Sequence, residues 1–201
     1  MQALLGISRV IDSVNTWIGK ASIWFILASV LVSAGNALIR KVAPTMASNA
    51  WLELQWYLFG AAFMGAAAYT LLQNEHIRID IFYGTRTRKT QHWIDLLGHI
   101  FFLLPFTFLM TWLLWTYAMQ SYQSGQISTN AGGLLIWPAR VLLLAGFVML
   151  AFQALSEIIK KVAVMRDLIE DPHPFQSAQD MALKEVEELA TEVAANLEAK
   201  P

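Results

Sequence analysis

The stretch that decides the fold class lies at residues 21–39 and reads ASIWFILASVLVSAGNALI, without a single charged residue. Three further apolar stretches follow at about residues 51–72, 97–119 and 133–159. A helix needs about 20 apolar residues to cross a bilayer, and its backbone groups must be hydrogen-bonded within the segment. The sequence therefore predicts an all-α integral membrane protein with four transmembrane helices.

The composition is typical of a membrane protein. Hydrophobic residues make up 56% of the chain and charged residues only 14%, whereas about 25% are charged in an average soluble domain. The absence of cysteine excludes disulfides, cysteine-bound metals and thiol nucleophiles. From residue 170 onward eight acids accompany two bases, whereas the preceding part carries an excess of bases. This distribution gives no support to nucleic-acid binding.

Basic residues are unevenly distributed between the two sides of the predicted bundle. Nine lie at the N-terminus, between the second and third spans, or after the fourth span, and two lie in loops on the opposite side. The positive-inside rule then predicts that both termini are cytoplasmic. We expect residues 1–167 to form the transmembrane domain and residues 168–201 to form an acidic, partly helical cytoplasmic tail.

The segment before the first span is amphipathic. Ile7, Ile11, Val14 and Ile18 recur at helical spacing, with polar residues such as Arg9 between them. This pattern predicts an N-terminal helix that lies in the membrane interface. The alternative is a simple extension of the first transmembrane helix.

Two charged residues are expected within the hydrophobic segments, where a charge is energetically costly. Glu53 lies near the start of the second span, close to Gln55, and Arg140 lies near the start of the fourth. We expect these polar residues to have a structural or subunit-interface role in the outer part of the bilayer. The alternatives are snorkelling of Arg140 to a lipid phosphate, simple exposure of Glu53, and a role in moving protons or substrate.

A second polar segment follows the second span directly and contains Glu75, His76, Arg78 and Asp80. One histidine among these acids does not match the spacing of zinc ligands, so no metal is expected. These side chains are expected to pair with one another or with a neighbouring subunit. The sequence contains no nucleophile–base pair, phosphate-binding loop or paired catalytic carboxylates, so neither enzymatic activity nor a cofactor is predicted.

Several stretches resemble the small membrane subunit of the tripartite ATP-independent periplasmic (TRAP) transporters. The clearest are ELQWYLF at residues 53–59 and NEHIRIDIFY at residues 74–83. Weaker matches are GAAAYTLL at 65–72, WIDLLG at 93–98 and SEIIK at 156–160. The resemblance covers about residues 5–165 in order.

This resemblance implies a non-catalytic subunit of a sodium-driven transporter in the bacterial inner membrane. In the family, a periplasmic solute-binding protein captures a solute, often an organic acid, and a large multi-span permease subunit carries it inward. The small subunit is expected to scaffold that large subunit, with membrane lipids as its other partners. The alternative is a self-contained four-helix exporter that acts as a homodimer, with Glu53 as a proton-coupled binding residue.

Overall fold

The structure is a computed structural model that describes residues 1–46, 48–74, 83–84, 86–172, 186 and 189. Four long helices dominate these residues: α1 (Gln2–Val42), α2 (Asn49–Leu72), α3 (Arg88–Ser124) and α4 (Trp137–Met165). The part of the chain that the structure describes contains no strand, and an isolated bridge joins Ile127 to Leu135. The predicted all-α fold is confirmed for these residues.

Three of the four long helices are long and apolar enough to cross a membrane. They are α1 with 41 residues, α3 with 37 and α4 with 29. Helix α2 has 24 residues and is also long enough, but it is not among the helices that meet the hydropathy criterion for a span. Three candidate spans are therefore present, and the fourth stays a prediction.

Helix α1 is uninterrupted from Gln2 to Val42. At about 1.5 Å per residue it is about 60 Å long, twice the thickness of the hydrocarbon core of a bilayer. No break separates the predicted interfacial segment from the first candidate span, and the interfacial position of that segment stays a prediction. Its apolar side also faces away from the protein, since Ile7 and Val14 are exposed while Ser8 and Asn15 are buried against α4.

The buried face of α1 is polar along its whole length. Its polar residues recur every seven positions. Because seven residues correspond to about two helical turns, these side chains form one stripe along the helix. Apolar side chains lie on the opposite side, where Trp17 is 74% exposed and Trp24 is 71% exposed. This inverted arrangement suits lipid, in which apolar side chains gain nothing from burial within the protein. The polar stripe consists of Ser8, Asn15, Ser22, Ser29 and Asn36.

Helix α4 packs against all three other helices, and α3 makes its main helix contacts with α4. Glycines allow α2 to approach its neighbours closely. A Cβ atom at Gly65 of α2 would lie 2.6 Å from Oγ of Ser22 in α1. A Cβ atom at Gly146 of α4 would lie 2.5 Å from Cε of Met64 in α2. Small residues at these points let α1, α2 and α4 pack as one bundle.

Helix α3 contains a short π-helical segment in its first half. Its first α-helical part, Arg88–Gly98, passes into a π-helical segment, His99–Leu103, and then into the α-helical part Leu104–Ser124. A π-helical segment widens a helix locally and often marks a functional position. Here it follows the residues that hold the start of α3 to α4, which are described below.

Candidate functional site

At one end of the bundle, the loop between α3 and α4 folds back as a hairpin-like turn. The N–H of Ser128 donates to the carbonyl of Leu134 at 2.9 Å, and the N–H of Ile136 donates to the carbonyl of Gln126 at 3.0 Å. Gly132 has a φ of 72°, in the left-handed region that glycine adopts without strain. We call this loop the outer hairpin.

The carboxylate of Glu53 is held by the outer hairpin through three hydrogen bonds. One oxygen accepts from the hydroxyl of Ser128 and from Asn130 Nδ2 at 2.8 Å, and the other accepts from the N–H of Leu134 at 2.6 Å. A Cβ atom at Gly133 would lie 2.8 Å from Glu53 Oε1, so any side chain there would displace the carboxylate. The arrangement joins the start of α2 to the hairpin.

Two further residues of α2 bind the outer hairpin. The hydroxyl of Tyr57 donates to the carbonyl of Leu135 at 2.8 Å, and Asn49 Nδ2 donates to the carbonyl of Ala131 at 3.0 Å. The Oδ1 atom of Asn49 accepts from Arg40 at 3.2 Å, so the end of α1 joins the same set of contacts. The hairpin is therefore attached to α2, which is distant from it in sequence, and through Asn49 it is linked to the end of α1.

Arg140 and Glu53 do not pair with each other, because their polar contacts involve different residues. The guanidinium of Arg140 lies 3.6 Å from the centroid of the Tyr117 ring, and Nη1 donates to the carbonyl of Tyr117 at 3.3 Å. Its Nε atom is buried and has no hydrogen-bond partner within the described part of the chain. Arg140 also lines an open groove, here called the Arg140 groove, with Gln120, Gln123, Ser124 and Gln126.

The structure describes no side-chain hydrogen bond for the other polar residues that were selected from the sequence. Gln55 contributes its backbone carbonyl, which accepts from Ser29 of α1 at 3.1 Å. The predicted pairing of the segment after α2 stays a prediction. Its four residues lie outside the described part of the chain: Glu75, His76, Arg78 and Asp80.

The opposite end of the bundle contains a buried polar network that sequence reasoning missed. Asp12 of α1 accepts from Ser156 at 2.7 Å and from Gln153 at 2.9 Å, and it pairs with Lys160 at 3.1 Å. Lys160 also pairs with Glu157 at 2.6 Å. All four residues contributed by α4 are buried. We call these five residues, with Ser8 and Asn15, the inner network.

Glu157 corrects the expectation that only two charges lie within the hydrophobic segments. It falls inside the predicted fourth span at residues 133–159, and it is only 7% exposed. The signal was present in the sequence, since polar residues 153, 156, 157 and 160 recur at the spacing of one helical face. That face could have been matched to the polar stripe of α1.

A second ionic cluster joins α3 to α4 and to the residues after α4. Lys161 Nζ lies 3.1 Å from Asp95 Oδ2 and 3.9 Å from Asp171 Oδ1. Tyr83 donates its hydroxyl to Asp95 at 2.9 Å, and His92 Nδ1 lies 4.0 Å from Asp171 Oδ2. These contacts attach the start of α3 and the first residues of the predicted tail to α4. The rest of the tail, apart from residues 186 and 189, lies outside the described residues.

The described residues at the two ends of the bundle include no cluster of metal-binding side chains. Among the described residues, no group of three or more His, Asp or Glu side chains could hold a metal ion. The inner network borders a cavity of about 20 Å³, lined in part by Glu157, Lys161 and Asp171. This volume accommodates about one water molecule and not an organic acid.

Polar contacts between distant segments are thus the main feature of both ends: they are exposed or half-buried at the outer hairpin and largely buried in the inner network. The sequence profile of the family described as "Tripartite ATP-independent periplasmic transporters, DctQ component" matches residues 29–164. The chain belongs to this family. The resemblance inferred from the sequence is thereby confirmed.

No curated protein and no solved structure matches the chain. The part that matches the DctQ component begins within α1 and ends one residue before the end of α4. It includes Glu53, the outer hairpin and the α4 half of the inner network. It does not include Asp12, so the α1 half of that network lies outside the matched region.

Proposed function

We propose that the chain is the small, non-catalytic permease subunit of a sodium-driven TRAP transporter for organic acids. The observation that carries the proposal is the family match over residues 29–164. The geometry supports it, because the polar side chains of the inner network and the outer hairpin bind the chain's own segments. The proposed partners are a large multi-span permease subunit and a periplasmic solute-binding protein.

We also propose that α2 crosses the membrane as the fourth span. It runs alongside α1 and α4, both of which are long and apolar enough to span. Its contacts through Gly65 and Gly146 bring it close to both neighbours over the middle of the bundle. Close packing against two candidate spans supports a position of α2 at membrane depth, where small residues favour contacts between helices.

The proposed orientation in a bacterial inner membrane places both termini in the cytoplasm. Lys160 and Lys161, at the end of α4, lie beside Asp12 of α1 and Asp95 of α3. The basic segments of the sequence therefore converge at one end of the bundle, as the positive-inside rule requires of a cytoplasmic side. The outer hairpin then faces the periplasm.

Glu53 is proposed to be a structural residue that shapes the periplasmic surface for docking. Its three donors use both carboxylate oxygens. The exporter alternative needs a carboxylate that is free to exchange a proton or bind a cation. The hydrogen bonds from the hairpin therefore favour the subunit over the exporter.

The test is reconstitution of the purified full chain into vesicles with an inward sodium gradient. Radiolabelled dicarboxylates and 2-oxo acids serve as probes. We expect no accumulation by the chain alone, co-purification with one much larger membrane protein at about one to one, and uptake only when that protein and the binding protein are both added. Solute accumulation by the chain alone would support the exporter and contradict the subunit.

The orientation has its own test with a reporter that is active only in the periplasm. Fusion within the outer hairpin, after residue 130, should be active, and fusion after residue 201 should be inactive. The reverse pattern would contradict the proposed orientation, and activity at both positions would contradict a crossing of the membrane by α4.

A further inference from the structure

The Arg140 groove has the chemistry of an anion site. It is an open groove of about 740 Å³ between the last turn of α3 and the first turn of α4. Its lining consists of one arginine, three glutamines and one serine, and it includes no acidic residue. Glutamine and serine side chains donate and accept hydrogen bonds without carrying charge. The single charge at the groove is therefore positive.

The charge of Arg140 is positioned by neutral contacts but is not neutralised. The Tyr117 ring lies against the guanidinium of Arg140. The hydrogen bond that the guanidinium donates goes to the backbone carbonyl of Tyr117. Within the described residues, no carboxylate lies within salt-bridge distance of this side chain. An uncompensated charge at the end of a membrane span is costly unless a counter-charge is supplied from outside the chain.

The groove lies at the depth of the lipid headgroups. It is formed where α3 ends and α4 begins, and both helices are long and apolar enough to span. The rings of Tyr122 and Trp137 meet edge to face beside it, with centroids 5.5 Å apart. Tyr and Trp side chains concentrate at the membrane–water interface, which supports this depth.

An apolar stripe runs from the groove along α3. Its residues lie three, four and four positions apart, a spacing that places them on one side of a helix. Each of them is between 46% and 55% exposed, and the stripe ends at the tyrosine that contacts Arg140. The stripe consists of Phe106, Leu109, Leu113 and Tyr117.

We propose that the Arg140 groove binds the phosphate of a phospholipid in the outer leaflet, with the acyl chains along the apolar stripe of α3. A positive group at headgroup depth and an apolar stripe on the same side match the two parts of an amphiphile. The glutamines supply donors for phosphate oxygens and acceptors for a headgroup ammonium or hydroxyl. A soluble anion would use the groove alone and leave the stripe unexplained.

The test measures lipid binding to the purified full chain by native mass spectrometry. Phosphatidylglycerol, phosphatidylethanolamine and diacylglycerol with identical acyl chains are added separately. Because hydrogen bonds to a charged group are stronger than those between neutral groups, the two phosphate lipids should bind at least about tenfold more tightly than diacylglycerol. Arg140→Gln should remove most of this preference, and Arg140→Lys should keep part of it.

Lys41→Gln is the matched control, because it removes one positive charge from an exposed side chain at the same end of the bundle. It should leave the preference unchanged. If Arg140→Gln fails to fold, Gln123→Ala is measured instead, and it should weaken binding of the phosphate lipids several-fold without affecting diacylglycerol.

Three results would contradict the proposal. The first is equal lipid affinity of Arg140→Gln and the unchanged chain. The second is displacement of bound lipid by millimolar inorganic phosphate or a free dicarboxylate, which would indicate a soluble-anion site. The third is loss of the lipid whenever the large subunit co-purifies, which would indicate a protein partner. None of these results depends on transport, so the proposed function is tested separately.

Discussion

Replacing Lys160 by methionine should destabilise the chain strongly. Lys160 lies between two carboxylates, at 3.1 Å from Asp12 and 2.6 Å from Glu157, and the Lys160 and Glu157 side chains are only 11% and 9% exposed. Methionine preserves much of the side-chain length but removes the cation. Two like charges would then remain close together in a poorly solvated site, and breaking a buried pair costs about 3–5 kcal/mol.

The expected effect can be converted into a melting temperature. For a chain of this size about 2–4 °C corresponds to 1 kcal/mol, so Lys160→Met should lower Tm by about 6–20 °C. The assay is thermal unfolding of the purified full chain in detergent, followed by the loss of monodisperse protein. Lys89→Met is the control, because Lys89 is an exposed lysine on α3. It should shift Tm by no more than about 2 °C.

A second substitution separates charge from packing. Adding Glu157→Gln to Lys160→Met removes one of the two uncompensated carboxylates, while Asp12 keeps its donors Ser156 and Gln153. At least half of the lost stability should return, because replacing a buried ion pair by neutral groups is often close to neutral. The reasoning about the inner network would be refuted if the single variant had the same Tm as the unchanged chain. It would also be refuted if the Tm of the double variant were no higher than that of the single variant.

Three further predictions concern the hairpin, the helix contacts and the tail. Glu53→Gln should weaken the attachment of the outer hairpin, seen as faster hydrogen exchange of its backbone amides, and unchanged exchange would contradict the structural role. Gly146→Leu should lower the yield of monodisperse protein because a side chain would collide with α2, whereas Gly60→Leu, which meets open space, should not. A chain that ends at residue 172 should insert and support uptake, whereas one that ends at residue 167 should be less stable because it lacks a contact of Lys161.

The fold class could be predicted because the length of an apolar stretch is a property of the local sequence. The stretch at residues 21–39 is sufficient to identify a span, and the structure contains a helix there. Glu53 and Arg140 could be selected for a similar reason, since a charge in an apolar segment is conspicuous. Their partners could not be predicted, because Glu53 binds residues that are 75 to 81 positions away in the chain.

The face of α1 that packs against the other helices was not predicted, for a different physical reason. Apolar residues at helical spacing, such as Ile7 and Val14, identify the buried face of a helix in water. In a bilayer the same residues can face lipid at no cost, and the buried face is then identified by small and polar residues. Applied to α1, that rule selects Ser8 and Asn15, which the structure buries.

Polar pairs also determine how α1 is aligned with α4. The hydroxyls of Ser8 and Ser156 are hydrogen-bonded at 2.7 Å, and Asn15 Nδ2 donates to Gln153 Oε1 at 2.7 Å. These contacts lie two turns apart along α1, and both fit the same antiparallel alignment of α1 with α4. Apolar contacts alone would select this alignment weakly, because Leu and Ile side chains pack comparably against lipid and against another helix. A shift of α1 by one turn would separate both pairs. It would also leave the carboxylate of Asp12 without Lys160 in a buried site, where an unpaired charge costs several kcal/mol. The inner network therefore contributes alignment as well as stability, and this contribution explains why costly polar groups occur in an otherwise apolar bundle.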